Sequence, residues 1–76
     1  MDFAEEGIAI KMRLKKNNLT QSWLVARLTA NDVRIDNSSL SLILSGQIVN
    51  DRAVEVMFKS NSIIDRYEKR KAREVR

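Results

Sequence analysis

The sequence predicts an all-α protein, a compact bundle of about five short helices. Three observations carry that prediction. The 76 residues contain two glycines and no proline, so few turn signals are present to divide the chain into short strands. Hydrophobic residues make up 43%, which suits a packed core and not a disordered chain. Apolar residues recur mainly at three- and four-residue intervals, the period of one helix face. Cysteine and histidine are absent, so neither disulfides nor a zinc ligand set can staple the fold, and one small apolar core must hold it.

The elements follow in order. Phe3, Gly7, Ile10 and Leu14 mark one face of a first helix, Ile8 and Met12 widen its apolar side, and the helix ends near Lys16–Asn18. Leu19 packs back, and Thr20 caps a second helix over 21–28. Leu24, Val25 and Leu28 face inward there, while Trp23 and Arg27 point elsewhere. The segment TANDVRID supplies a long turn, with Val33 or Ile35 as a plug into the core. Asp36 caps a third helix in which Leu40, Ile43 and Leu44 face inward and Gly46 is the stop. Asn50 or Asp51 caps a fourth, burying Ala53, Val54, Met57 and Phe58. Ser62-Ile63-Ile64-Asp65 resembles a capping box with Asp for the usual Glu, and opens a fifth helix through Tyr67. The remainder, EKRKAREVR, has almost no apolar content. Residues 67–76 are therefore a basic helical extension, or a frayed tail, of a single 1–76 domain.

Charge is distributed unevenly. Residues 1–27 carry five basic and three acidic groups, residues 28–58 two basic and four acidic, and residues 59–76 seven basic and three acidic. The net charge of +4 suits a nucleic-acid partner through phosphate attraction, and a solvated surface accounts for it equally. No apolar stretch reaches the ~20 residues that span a bilayer, and the acidic start MDFAEEG is unlike a signal peptide. These features predict a soluble cytoplasmic protein with no membrane partner. Catalysis finds no support: histidine and cysteine are missing, no glycine-rich phosphate loop occurs, and Asp36, Asp51 and Asp65 sit where helix starts favour negative charge. No enzyme, cofactor or metal site is expected.

The informative region is the pair of short helices around residues 20–46. Leu19-Thr20-Gln21, then Leu24-Val25 and Leu28, then Ile35, Leu40, Ile43 and Gly46 resemble the lambda-repressor/Cro class of helix-turn-helix proteins. TQSWL followed by IDNSSLSLILSGQ is similar to small phage and mobile-element regulators of Gram-positive bacteria. The resemblance covers about residues 8–58. Two departures stand out: seventeen residues separate Leu28 from Gly46, a lengthened turn, and Val25 occupies a close helix–helix contact where the family prefers alanine.

The resemblance implies base-reading positions at Asn37, Ser38, Ser41 and Leu42, with Gln21 at the start of the bracing helix. The side chains suit base reading, because amides can bond adenine, hydroxyls can donate or accept, and leucine can touch a thymine methyl. Thr20 and Gln47 would meet phosphates, and Lys15 would add charge beside the groove. Helix-start chemistry accounts for Asn37 and Ser38 as well, since it favours such residues whatever the function. A homodimer would set two reading helices about 34 Å apart on operator DNA, with Ile63, Ile64 and Tyr67 offering a seam.

A second reading uses the same fold as an antirepressor or modulator that covers a phage repressor's DNA-binding domain. No lysine or arginine lies between Arg34 and Arg52, and the run LSLILSGQIV is uncharged. Trp23, Leu42, Ile48 and Val49 would then form an apolar contact surface. Both readings stand on the sequence alone.

Overall fold

The three- and four-residue periodicity becomes four helices in the computed structural model of the chain, which describes residues 3–74: α1 (Phe3–Lys16), α2 (Gln21–Ala30), α3 (Asn37–Leu44) and α4 (Asp51–Glu74). No strand occurs among the described residues. Helices α1 and α2 each pack against both α3 and α4. The longest dimension, 40 Å, is close to the length of α4, since its 24 residues span about 36 Å at 1.5 Å per residue.

Short polar side chains set the helix starts. The Thr20 hydroxyl accepts the Trp23 N–H at 3.0 Å, and Asp36 Oδ1 accepts the Ser39 N–H at 2.7 Å. The latter bond holds the Asp36 carboxyl below its usual range, because it stabilises the ionised form. At α4 the cap is Asn50, whose Oδ1 accepts the Ala53 N–H at 2.8 Å. Asp51 occupies the first turn, where negative charge suits the helix dipole. Helix α3 stops at Gly46, which takes φ 81°, a conformation costly for residues with a Cβ. The Gly46 N–H then reaches the Ile43 carbonyl at 3.1 Å and the Gln47 N–H the Leu42 carbonyl at 3.0 Å. These bonds satisfy acceptors that the helix end would otherwise leave open.

One core joins all four helices. Ile10, Leu24, Leu28, Leu40, Leu44, Val56 and Ile64 are fully buried in it, with Leu14, Ile43, Met57 and Ile63 beside them. Val33, in the α2–α3 connection, is buried as a plug, and Ile35 packs on the cluster half-buried. Helix α2 extends two residues beyond the predicted end.

Several expectations are corrected. The fifth helix does not exist as a separate element, because Ser62–Asp65 lies inside α4. Ala53, Val56, Met57, Ser60, Ile63 and Ile64 are buried in continuous helical register, and that burial outweighs a local capping pattern. The same register decides which apolar residues of α4 are inside. Val56 is buried, whereas Val54 and Phe58 are 40% and 72% exposed. On α1, Ile8 and Met12 lie away from the buried Gly7–Ile10–Leu14 face and are exposed. Of the three residues expected to offer a dimer seam, Ile63 and Ile64 are buried in the chain's own core and Tyr67 is half-buried. The basic extension is helical through Glu74; Val75 and Arg76 lie outside the described residues.

A polar clamp ties the end of α1 to α4. Arg13 donates to Asn61 Oδ1 at 3.1 Å, Asp65 Oδ1 at 2.5 Å and Glu68 Oε1 at 2.7 Å. Asn17, buried, donates from Nδ2 to Glu68 Oε2 at 2.8 Å and to the Arg13 carbonyl at 2.9 Å. Burial of Arg13 opposes its charge, but the hydrogen bonds and charges of Glu68 and Asp65 outweigh it and raise its pKa. Hydrogen bonds from Arg13 and Asn17 hold the Glu68 carboxyl below its usual range. A carboxylate with a lowered folded pKa adds stability that is complete above its unfolded pKa, about 4.3 for Glu, and lost as pH falls through the folded value. Urea midpoints should therefore drop as pH falls below about 4.3, and Glu68→Gln should flatten that drop. An unchanged acid profile in the variant would show that the clamp contributes nothing.

Candidate nucleic-acid interface

Helix α3 divides by its period. Leu40, Ile43 and Leu44 are buried, so Ser38, Ser41 and Leu42 are left on the outer face, with Asn37 exposed at the first turn. The hydroxyls of Ser38 and Ser41 offer donors and acceptors to solvent, and Leu42, 40% exposed, adds an apolar edge. The face holds no titratable group.

The start of α3 is tied to the start of α2. Gln21 donates from Nε2 to the Asn37 carbonyl at 2.9 Å, and Asn37 donates from Nδ2 to Ser22 Oγ at 3.2 Å. Gln21 and Asn37 are thus neighbours, and part of their hydrogen-bonding capacity fixes one helix against the other. Each keeps its amide oxygen as an acceptor for another group. Thr20 is engaged as the α2 cap. Gln47 donates to Ser45 Oγ at 3.1 Å just beyond α3, and Lys15 is exposed on a different helix, near the end of α1.

The four residues of the alternative apolar surface do not behave alike. Leu42 and Val49 are exposed, the latter at 60%. Ile48 is half-buried against the core, which corrects its assignment as a free contact residue. Trp23 is half-buried on the other flank of α2, edge-on to Tyr67 with ring centres 5.4 Å apart and planes at 73°.

Sequence reasoning missed what gathers around that tryptophan. The Arg27 guanidinium lies 5.6 Å from the Trp23 ring centre, within cation–π range. Arg66, Tyr67 and Arg70 of α4 close a cleft with Trp23, Arg27 and Asn31 of the α2 flank. The available signal was the spacing of Ile63, Arg66, Tyr67 and Arg70, which puts all four on one strip of a helix. That strip is apparent only once residues 51–74 form a single helix.

Among the described residues no group of three or more acidic, histidine or cysteine side chains could hold a metal ion, and no helix is long and apolar enough to cross a membrane. Compared with protein-family models, curated proteins and solved structures, the chain matches none.

Proposed function

We propose that the protein is a DNA-binding transcription regulator of the phage-switch type, acting in a bacterial cytoplasm, in which α2 and α3 serve as a helix-turn-helix. Helix α2 braces on the backbone of operator DNA, and Asn37, Ser38, Ser41 and Leu42 face base edges in the major groove. The observation that carries this reading is the outer face of α3: small, polar and exposed at its N-terminal end, and held to α2 through Gln21 and Asn37. Neutral side chains are sufficient for base edges, so the lack of lysine and arginine on α3 is compatible with the role. A homodimer on a pseudo-palindromic operator belongs to the same proposal, with its seam outside the buried Ile63 and Ile64.

A gel-shift series with duplex DNA from the protein's own promoter region tests the reading. Ser38→Ala is the cleaner variant, since Asn37 also bonds Ser22. Loss of Ser38 base contact should weaken specific binding by about 1–3 kcal/mol, and Asn37→Ala by a similar amount. No shift by the wild type at low salt would overturn the proposal.

The exposure of Leu42 and Val49 favours one second reading, in which the same region covers the DNA-binding domain of a phage repressor and relieves or alters repression. Leu42→Asp or Val49→Asp should then abolish association with that repressor while helicity is unchanged. Normal repressor binding by both variants would exclude this apolar edge as the interface.

A further inference from the structure

We propose that the cleft between α2 and the C-terminal half of α4 is a phosphate site that holds the sugar–phosphate backbone of duplex DNA. Arg27, Arg66 and Arg70 line it together with Trp23, Tyr67 and Asn31. On the α1 side of α4, Asp65 and Glu68 are engaged by Arg13. Among the described residues, none of the three cleft arginines pairs with a carboxylate. They line one cleft with like charge, so an anion entering it is attracted by all three.

The size and chemistry of the cleft select the anion. Its volume is about 120 Å³, well below the roughly 300 Å³ at which drug-sized pockets begin, so a compact charged group fills it. A carboxylate and a backbone phosphodiester each present two anionic oxygens to a planar, bidentate guanidinium. Duplex DNA carries one such charge per about 3.4 Å of each strand, a density that suits a cleft with three arginines. The aromatic wall shapes the site further: Trp23 is fixed by Tyr67 and carries Arg27 against its ring, so that guanidinium is partly oriented before a ligand arrives. The proposed role of α2 and α3 brings duplex DNA to the protein as the source of the phosphate. Trp23 lies two residues beyond Gln21, about 200° around α2, so the cleft opens on the flank of α2 turned toward α4, away from the side chain that bonds the first residue of α3. Its arginines add positive charge that α3 lacks. The choice of DNA rests on the reading of α3 as a DNA-facing helix, whereas the fit of a phosphate does not.

Trp23 is the chain's single tryptophan, so its fluorescence reports directly on the cleft. The intact protein is titrated at several salt concentrations with a short duplex of arbitrary sequence, with inorganic phosphate, and with poly-glutamate. The duplex and, more weakly, inorganic phosphate should change the emission saturably, and poly-glutamate should not. Arg66→Gln/Arg70→Gln should weaken duplex binding roughly tenfold at low salt and flatten the dependence of log affinity on log salt by about one to two. Arg66→Lys/Arg70→Lys keeps both charges and should retain the salt slope with reduced affinity. The helical circular dichroism of each variant is checked against wild type. No emission change with duplex, an unchanged affinity and slope in the glutamine variant, or an equal response to poly-glutamate would each overturn the site. Ser38→Ala separates the two readings. A Ser38-sensitive operator shift without a tryptophan response removes the cleft alone, and a tryptophan response without Ser38 sensitivity removes base reading alone.

Discussion

Gly7→Ala is expected to be the most damaging single-methyl change in the protein. A Cβ added at Gly7 would lie 1.6 Å from the Leu44 carbonyl oxygen and 2.4 Å from its carbonyl carbon. Both are backbone atoms at the end of α3, so no side-chain rotation can make room, and α1 must move away from α3. Overpacking a tight core site costs typically 1–3 kcal/mol and more where the neighbours cannot yield. Alanine returns about 1 kcal/mol through its better helix propensity. The net loss should be about 2 kcal/mol or more, a large part of the roughly 4–11 kcal/mol that 0.05–0.15 kcal/mol per residue gives a chain of this length. Urea unfolding followed by circular dichroism should show a lower midpoint at an unchanged slope. Because the same contact sets the position of α3, folded Gly7→Ala protein should also lose the operator binding proposed for that helix. A midpoint equal to wild type would show that α1 and α3 separate at no cost.

Ile64→Ala carries the second large effect and discriminates between two uses of α4. Ile64 is fully buried within the chain's own core. Truncating a buried isoleucine to alanine costs about 2–5 kcal/mol, the removed methyl groups and the cavity both contributing. The expected result is a loss of stability that does not depend on protein concentration, measured by thermal unfolding over a wide concentration range. A dimer seam behaves differently: truncation there would leave the isolated chain intact and shift only the association equilibrium. A normally stable Ile64→Ala monomer with weakened self-association would restore the seam.

These two residues show where sequence reasoning succeeds and where it stops. Gly7 falls on the apolar stripe of α1 from spacing alone, and the structure places it on the buried face. Its indispensable feature, the approach of Leu44 to within the radius of a methyl group, depends on a partner thirty-seven residues away in sequence. Ile63 and Ile64 are visible as an apolar pair, but a pair of isoleucines in a helix suits a core and an interface equally. Only the packed arrangement assigns them. The outer face of α3 was legible for a simpler reason: once Leu40, Ile43 and Leu44 are inside, the helical period forces Ser38, Ser41 and Leu42 outward. The tie from Gln21 to Asn37 was not legible in detail, since it depends on how two helices meet across a long connection.

Local chemistry along the chain suffices for the all-helical class, the starts of α2 and α3 at Thr20 and Asp36, the start of α4 to within Asn50 or Asp51, the stop at Gly46, and the Gly7–Ile10–Leu14, Leu24–Leu28 and Leu40–Ile43–Leu44 faces of α1, α2 and α3. A cap bonds a backbone N–H three residues away, and a helix face repeats every three or four, so neither needs a distant partner. Packing between helices settled the rest: residues 51–74 form one helix, Val56 is buried in place of Val54 and Phe58, Arg13 clamps onto Glu68, and Arg66 and Arg70 line one cleft with Trp23. Each of these depends on a helix far away in sequence. In α4 the continuous apolar face outweighed the capping pattern at Ser62, because removing several large side chains from water contributes more than one capped N–H.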